Sequence, residues 1–211
     1  MPEIKNELQN IILGNEQISN KSQLKAIQHF LRRNEEIDYE SPNKKSIKRE
    51  EEKYILSFAA ARNLFYPSEI PEETFLAEGA EQKVYRYDHF QVIKTNNSIF
   101  YETWLDYFNN LLLHNYFFPA AAYRFMGFKV LYNKLFAVVQ QDFINATEPT
   151  DINAVKQFLA YNGFKNIRNN DYYNVELGVI FEDLHDENVL SRNQVLFFID
   201  TVFYLTEEFF N

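Results

Sequence analysis

The segment Glu182–Leu190 contains an aspartate and an asparagine at a spacing that could support phosphoryl transfer. Asp183 and Asn188 follow the pattern D-x-x-x-x-N, and the apolar pair Val189-Leu190 comes directly after them. A single loop of this length can place a carboxylate near an attacking hydroxyl and an amide oxygen on magnesium. The segment therefore predicts that Asp183 is catalytic and that Asn188 is a magnesium ligand.

Two further residues fit the same chemistry. Lys94 ends the run Gln91-Val92-Ile93, and a lysine at the end of a buried strand can hold the phosphates of ATP. Asp200 follows Phe197-Phe198-Ile199, where a carboxylate is costly to bury unless a cation pairs with it. We therefore expect Lys94 to engage the nucleotide and Asp200 to share magnesium with Asn188.

The segment before Lys94 is placed where a loop could cover the phosphates. Compared with the pattern G-x-G-x-x-G-x-V, the run Ala77–Val84 keeps only the middle glycine, Gly79, and the valine, Val84. We expect both residues to contact the nucleotide. The loss of two glycines reduces the freedom of the backbone to approach phosphate groups closely.

The sequence also offers candidates for two supporting roles. A carboxylate should pair with Lys94; Glu102 is the first candidate, and Asp106, one helical turn later, is the second. The adenine ring is expected near residues 140–143, because this stretch follows Leu135–Val139, the core of the last strand of the first half. Gln141 and Phe143 are the predicted adenine contacts.

Short strands and helices must position these residues. Apolar periodicity and turn residues predict the order β-β-β-α-β-β-α-β-β, an α+β fold with an antiparallel sheet and one main helix in its first half. The strands are expected at Phe75–Leu76, Val84–Tyr87, Phe90–Lys94, Phe128–Leu131 and Leu135–Ile144, with the last pair within Val175–Phe203. The helices are expected at Ile99–Asn115, with Asn96-Asn97-Ser98 as capping residues, and at Asp151–Tyr161, capped by Thr150 and closed by Gly163.

The first third of the chain has a different pattern. Apolar stripes predict helices over Ser19–Arg33 and Glu50–Phe65, the second ended by Pro67, with a charged linker between them. We expect a helical extension over residues 1–70 and a main domain over residues 71–211. The apolar stripes should pack on the main domain, or else mediate a homodimer.

Composition excludes several classes of function. The formal net charge of -9 opposes binding to nucleic acid. The sequence contains no cysteine, which excludes disulfides and thiolate metal sites and suits a cytoplasmic protein. No signal peptide and no membrane-spanning run is expected.

Four runs in the sequence resemble one known family. They are Glu78–Tyr85, Leu111–Pro119, Asn170–Asn174 and Glu182–Leu190, and they are similar to the kinase-like domain of polyvalent proteins from bacterial phages and conjugative elements. The resemblance, which covers about residues 78–205, implies a two-lobed protein-kinase-like fold with ATP and Mg²⁺ as cofactors. Eleven residues follow Asp200 in the 211-residue sequence, so we expect a strongly reduced C-lobe.

Three functions remain open at this stage. Retention of Lys94, Asp183, Asn188 and Asp200 favours an active phosphotransferase acting on an unknown protein or small hydroxyl compound. The depleted glycine loop favours a nucleotide-binding pseudokinase that acts as an interaction or regulatory module. A structural remnant without nucleotide binding is the third alternative.

Overall fold

The protein has an α+β fold. A computed structural model describes residues 2–14, 23–35, 44–79 and 81–211. The helices are α1 (Pro2–Leu13), α2 (Gln23–Glu35), α3 (Lys44–Arg62), α4 (Trp104–Phe117), α5 (Ile152–Tyr161) and α6 (Glu207–Phe210). The strands are β1 (Phe75–Glu78), β2 (Gln82–Arg86), β3 (Gln91–Asn96), β4 (Arg124–Leu131), β5 (Lys134–Asp142), β6 (Lys165–Arg168), β7 (Asp171–Asn174), β8 (Val179–Glu182), β9 (Val189–Arg192), β10 (Val195–Phe198) and β11 (Val202–Leu205). In the part of the chain described, no helix is long and apolar enough to cross a membrane.

The chain forms two compact units, which we describe separately. The five-stranded unit contains α2, α3, β1–β5 and the start of α4 as far as Phe108. The six-stranded unit contains α1, the rest of α4, α5, β6–β11 and α6. Whether a domain boundary falls at residue 70 stays a prediction.

The five-stranded unit is built on an antiparallel sheet with the order β1-β2-β3-β5-β4. Strand β3 therefore lies at the centre, and five of its six residues are buried. Tyr132 and Asn133 form the turn between β4 and β5 with φ values of 51° and 59°, as two-residue hairpin turns require. The antiparallel sheet predicted for this half of the chain is confirmed, although β4 begins at Arg124 rather than Phe128.

Helices α2 and α3 bury the apolar stripes predicted for the N-terminal extension. The buried residues of the predicted stripes are Leu24, Ile27, Leu31 and Ile55, and Ala59 is buried in place of the predicted Ala61, which is exposed. Phe30 stacks on Phe58 with ring centroids 4.3 Å apart, and α2 packs against both α3 and β4. Burial removes this apolar surface from water at about 25 cal/mol per Å², so both helices are integral to the unit.

The boundaries predicted for the N-terminal helices were wrong in three respects. Helix α3 begins at Lys44, before Glu50. It ends at Arg62 because Asn63 adopts a left-handed conformation (φ 53°) and the Leu64 amide bonds to the Ala59 carbonyl at 2.9 Å, which closes the helix before Pro67. Helix α1 was not predicted at all. The expected start at Ser19 lies outside the described residues.

The segment before α4 is a turn and not the first turn of the predicted helix. The side chain of Asn96 accepts the Ser98 amide at 2.6 Å, and that of Asn97 accepts the Ile99 amide at 3.2 Å. These contacts are Asx turns, which compete with helix formation, so the helix begins at Trp104 rather than Ile99.

A buried glutamate on α3 fixes where α4 begins. Glu51 is only 3% exposed, and its carboxylate accepts the amides of Trp104 at 2.7 Å and Leu105 at 3.0 Å. Thr103 and Asp106 add a second cap, since the Asp106 carboxylate accepts both the amide and the hydroxyl of Thr103. A carboxylate at a helix N-terminus satisfies unpaired amides and interacts favourably with the helix dipole.

The six-stranded unit contains two sheets, ordered β11-β8-β7-β6 and β10-β9. The β6–β7 hairpin was not predicted. Its sequence, Lys165–Asn174, is polar, all residues of β6 are exposed, and only Tyr172 and Asn174 of β7 are buried. The predicted order with a single final strand pair was therefore wrong.

Phenylalanines form the core of this unit. The Phe118 ring stacks on Phe198 of β10 at 4.3 Å between centroids, and Phe181 of β8 lies 4.2 Å from Phe203 of β11. Phe181 and Phe198 are themselves 5.8 Å apart. The core therefore fixes β8, β10 and β11, which precede and follow the Asp183–Asn188 loop, relative to one another.

Two helix ends of the six-stranded unit are also defined by side chains. Asp151, and not the predicted Thr150, caps α5 by accepting the Asn153 amide at 2.8 Å, while the Thr150 hydroxyl donates to the Val189 carbonyl at 2.6 Å. Gly163 closes α5 with a φ of 78°, as predicted.

Helix α1 contacts the last turn of the chain. Lys5 donates to the Glu208 carbonyl at 2.7 Å, and Gln9 donates to the Phe209 carbonyl at 2.6 Å. Leu8 and Ile12 on the same helix are buried. Helix α1 is therefore part of the six-stranded unit.

The Glu51 cap yields a stability prediction. Glu51→Ala leaves two buried amides of α4 without their acceptor, so we expect a loss of about 3 kcal/mol in unfolding free energy. Urea unfolding followed by Trp104 fluorescence measures it, because Trp104 is the only tryptophan and is buried in the same unit. The control is Glu50→Ala, whose surface pair with Lys53 should contribute less than about 1 kcal/mol. Equal unfolding midpoints for the two variants would contradict the assignment.

Candidate active site

The loop between β8 and β9 brings Asp183 and Asn188 together. Nδ2 of Asn188 donates to the main-chain carbonyl of Asp183 at 2.8 Å and to its carboxylate at 3.0 Å. The backbone of Asp183 is left-handed, with φ 62°. A non-glycine residue in this conformation is strained and depends on its surroundings to hold it there. Leu184, 3% exposed, anchors the loop in the core.

His185 completes a cluster of three side chains in this loop. Its Nδ1 accepts the Glu187 amide at 3.3 Å, which leaves the hydrogen of a neutral ring on Nε2. Nε2 lies 3.4 Å from the carboxylate of Asp183 and 3.1 Å from Nδ2 of Asn188. The Asp183 side chain remains 61% exposed, so it is oriented and still accessible to an acceptor hydroxyl.

Asp200 reaches this loop through the backbone. The Asn188 carbonyl accepts the amides of Ile199 at 2.9 Å and Asp200 at 3.4 Å. The pairing of Val189 with Phe198 in the two-stranded sheet brings these segments together. The structure therefore brings the backbones of Asn188 and Asp200 together, and their role as magnesium ligands stays a prediction.

The surroundings of the loop are negatively charged. Burial raises the pKa of the Glu182 carboxyl, and the negative charges of Asp171 and Asp183 raise that pKa further. The surrounding charge favours a bound cation.

Oxygen ligands are available for a hard cation. Because Nδ2 of Asn188 donates to Asp183, the amide oxygen of Asn188 is the atom that could face a metal. Magnesium in phosphoryl-transfer sites commonly uses one or two protein oxygen ligands together with substrate phosphates and water. Within the described ranges, no group of three or more His, Cys, Asp or Glu side chains could hold a metal ion.

Lys94 lies in the five-stranded unit. It is 3% exposed in the central strand β3, opposite Val84 on β2 and Val139 on β5. Its Nζ is 3.5 Å from the hydroxyl of Tyr123 and 5.3 Å from the centre of that ring. Tyr123 was not singled out from the sequence. A buried lysine must have polar or charged partners, and the Tyr123 hydroxyl is one of them.

The other predicted nucleotide contacts also fall in the five-stranded unit. Gly79 directly follows β1 and begins the turn to β2, where its amide donates to the Gln82 carbonyl at 2.9 Å. Val84 of β2 is half-buried. Gln141 is buried at the end of β5. Phe143 directly follows β5. The Arg86 guanidinium lies 3.8 Å from the centre of the Phe143 ring, and the Phe143 amide donates to the Phe90 carbonyl at 2.6 Å.

The two candidates for pairing with Lys94 differ in their surroundings. Glu102 is exposed and precedes α4, whereas Asp106 lies in the first turn of α4 and caps it through Thr103. The pairing of Lys94 with Glu102 stays a prediction.

Sequence analysis overlooked Asp171 near this site. Its Oδ1 accepts the amide of Asp183 at 3.3 Å. The signal was present, since Asp171 belongs to the Asn170–Asn174 run that carries part of the family resemblance.

An aspartate–asparagine loop with an adjacent carboxylate, together with a buried lysine on the central strand of an antiparallel sheet, is the residue set of a kinase-like phosphotransferase. Residues 48–207, about three quarters of the chain, match the family described as serine/threonine/tyrosine kinase found in polyvalent proteins, and the chain belongs to that family. The match confirms the resemblance and begins earlier than residue 78, so it includes most of α3. Neither curated proteins nor solved structures gave a match.

Gly79 provides a test of the phosphate-covering loop. A Cβ at Gly79 would meet only the Gln82 carbonyl, at 3.9 Å, and its backbone is not left-handed, so Gly79→Ala should leave the unfolding temperature unchanged. If the loop backbone approaches phosphates, the added methyl should weaken Mg-ATP binding about tenfold in calorimetry. The matched control is Gly127→Ala, where φ is 144° and the Cβ would lie 2.6 Å from the Tyr66 amide nitrogen. This control should lower the unfolding temperature, and unchanged ATP affinity in Gly79→Ala would contradict the loop's role.

Proposed function

We propose that this protein is an ATP- and Mg²⁺-dependent phosphotransferase that acts on a hydroxyl acceptor. The observation that carries the proposal is the pair of contacts made by Asn188: its side-chain nitrogen donates to the Asp183 carboxylate, and its main-chain carbonyl accepts the Asp200 amide. One residue thereby connects the proposed hydroxyl-orienting carboxylate to the segment of the second proposed metal ligand.

Each unit supplies different parts of the reaction. In the six-stranded unit, Asp183 orients the acceptor hydroxyl and takes its proton, and Asn188 and Asp200 hold magnesium. Magnesium, when bound, neutralises charge on the phosphates. In the five-stranded unit, Lys94 engages the phosphates and pairs with Glu102 or Asp106. Gly79 and Val84 cover the nucleotide, and Gln141 and Phe143 contact adenine.

The arrangement lowers the barrier mainly through positioning. Asp183 receives hydrogen bonds at its backbone and its carboxylate, and His185 adds a contact from Nε2. A group held in reactive geometry avoids the entropy cost of alignment during the reaction. The exposure of Asp183 is consistent with an acceptor on a protein or on a small molecule.

Several finer features are proposed beyond the family match. They are the two-lobed kinase arrangement, a cytoplasmic location, and an acceptor that is either a protein or a small hydroxyl compound. A homodimer through the N-terminal helices is the weaker alternative, because the described apolar stripes of α2 and α3 are already buried within the five-stranded unit.

The catalytic role of Asp183 can be tested by one substitution. Asp183→Asn keeps the shape of the side chain and removes its charge, so Mg-ATP affinity should change little while turnover falls by roughly 10²–10⁴-fold. ATP hydrolysis and autophosphorylation measure turnover, and calorimetry measures affinity. Lys94→Ala is the comparison, since it should weaken ATP binding as well.

The opposite result would favour the pseudokinase. A wild-type protein that binds Mg-ATP, shows no turnover with any protein or hydroxyl acceptor, and is indistinguishable from Asp183→Asn would exclude the active-enzyme proposal. Binding without turnover would leave the nucleotide-binding interaction module as the function.

Magnesium dependence forms a separate prediction. ATP with magnesium should raise the unfolding temperature of the wild type more than ATP with EDTA, because a ligand that binds only the folded state stabilises it. Asp200→Ala should abolish this difference. Persistence of the full metal-dependent shift in Asp200→Ala would contradict the assignment of Asp200 as a ligand, and no ATP effect under either condition in the wild type would exclude nucleotide binding.

A further inference from the structure

The turn between β6 and β7 contacts the Asp183 loop at two consecutive positions. The Asp183 amide donates to Oδ1 of Asp171 at 3.3 Å, and the Leu184 amide donates to the Asn170 carbonyl at 3.2 Å. Two neighbouring residues of the hairpin therefore accept the two neighbouring amides that begin the loop. This pairing fixes both the position and the direction of the backbone at Asp183.

Hydrogen bonds and buried side chains stabilise the β6–β7 hairpin that contacts the Asp183 loop. Nδ2 of Asn166 bridges the turn by donating to the Asn169 carbonyl at 2.8 Å and to the Asp171 carbonyl at 3.1 Å. One residue further on, Tyr172 pairs with Phe181 of β8, and both side chains are buried. The residues before and after Asp171 are therefore both fixed, by the turn and by the pairing with β8.

The contact with Asp171 helps to hold Asp183 in its left-handed backbone conformation. Its carbonyl is held by Nδ2 of Asn188 at 2.8 Å and by the His185 amide at 3.2 Å, and its amide is held by Asp171. We propose that Asp171 is a positioning residue that keeps Asp183 in its reactive conformation. This inference rests on the proposed phosphotransferase function.

The charge of Asp171 does not explain its place. A second carboxylate beside Asp183 repels it, so attraction between charges does not account for the contact. Orientation requires only an acceptor oxygen at the Oδ1 position. Asparagine supplies that oxygen without the charge, whereas glutamate keeps the charge and displaces the oxygen by one methylene group.

Three variants separate orientation from charge. Asp171→Ala and Asp171→Glu should lower kcat by roughly 10- to 100-fold with unchanged affinity for Mg-ATP, because a misplacement of about 1 Å can cost up to about 100-fold in rate. Asp171→Asn should keep kcat within about threefold of wild type. The control is Glu176→Ala, which removes an exposed carboxylate from the turn after β7. If Asp171→Ala fails to fold, the Asn and Glu variants decide the question.

A second measurement does not depend on activity. Amide hydrogen exchange at Asp183 and Leu184, followed by NMR, should be about tenfold faster in Asp171→Ala and Asp171→Glu, and unchanged in Asp171→Asn and Glu176→Ala. Unchanged exchange in Asp171→Glu, or an Asn variant as impaired as the Glu variant, would overturn the inference. A wild type without turnover would refute the proposed function instead, and the exchange data would still decide whether Asp171 positions Asp183.

Discussion

The hydrogen bonds of Asn188 connect two segments of the six-stranded unit. Its main-chain carbonyl accepts the amides of Ile199 and Asp200, and its side-chain nitrogen donates to Asp183 at both the carbonyl and the carboxylate. The loop after β8 and the segment after β10 are therefore held together by one residue. A substitution at Asn188 would disturb the loop geometry and the proposed metal ligation together, so its effect on rate could not be assigned to either alone.

The phenylalanine core determines where these segments leave the sheets. Phe181 lies two residues before Asp183 in the sequence, and Phe198 lies two residues before Asp200. Because both rings are almost fully buried and 5.8 Å apart, the polar residues that follow them emerge close together. The functional residues stand on strand ends that are fixed by packing, while the polar contacts set their final orientation.

Short-range patterns in the sequence named Asp183 and Asn188 as a pair, and the two side chains meet in the structure. Lys94 was predicted at the end of a strand, but β3 continues to Asn96, so Lys94 lies within it. The start of α4 was missed because it depends on Glu51, a residue distant in the sequence whose carboxylate caps the helix. The β6–β7 hairpin was missed because strands with exposed polar side chains lack apolar alternation. The proposed role of Asp171 could not be predicted either, because it depends on the contact between that hairpin and the Asp183 loop.

The contact between α1 and α6 has a consequence for how the chain folds. The bonds from Lys5 and Gln9 join residues 203 and 200 positions apart in the sequence. Helix α1 is synthesised before α6, so it cannot dock until α6 has formed, and the apolar side chains of Leu8 and Ile12 stay exposed until then. Contacts between residues so distant in the sequence form slowly. The six-stranded unit is therefore completed late in folding, when its first and last helices meet.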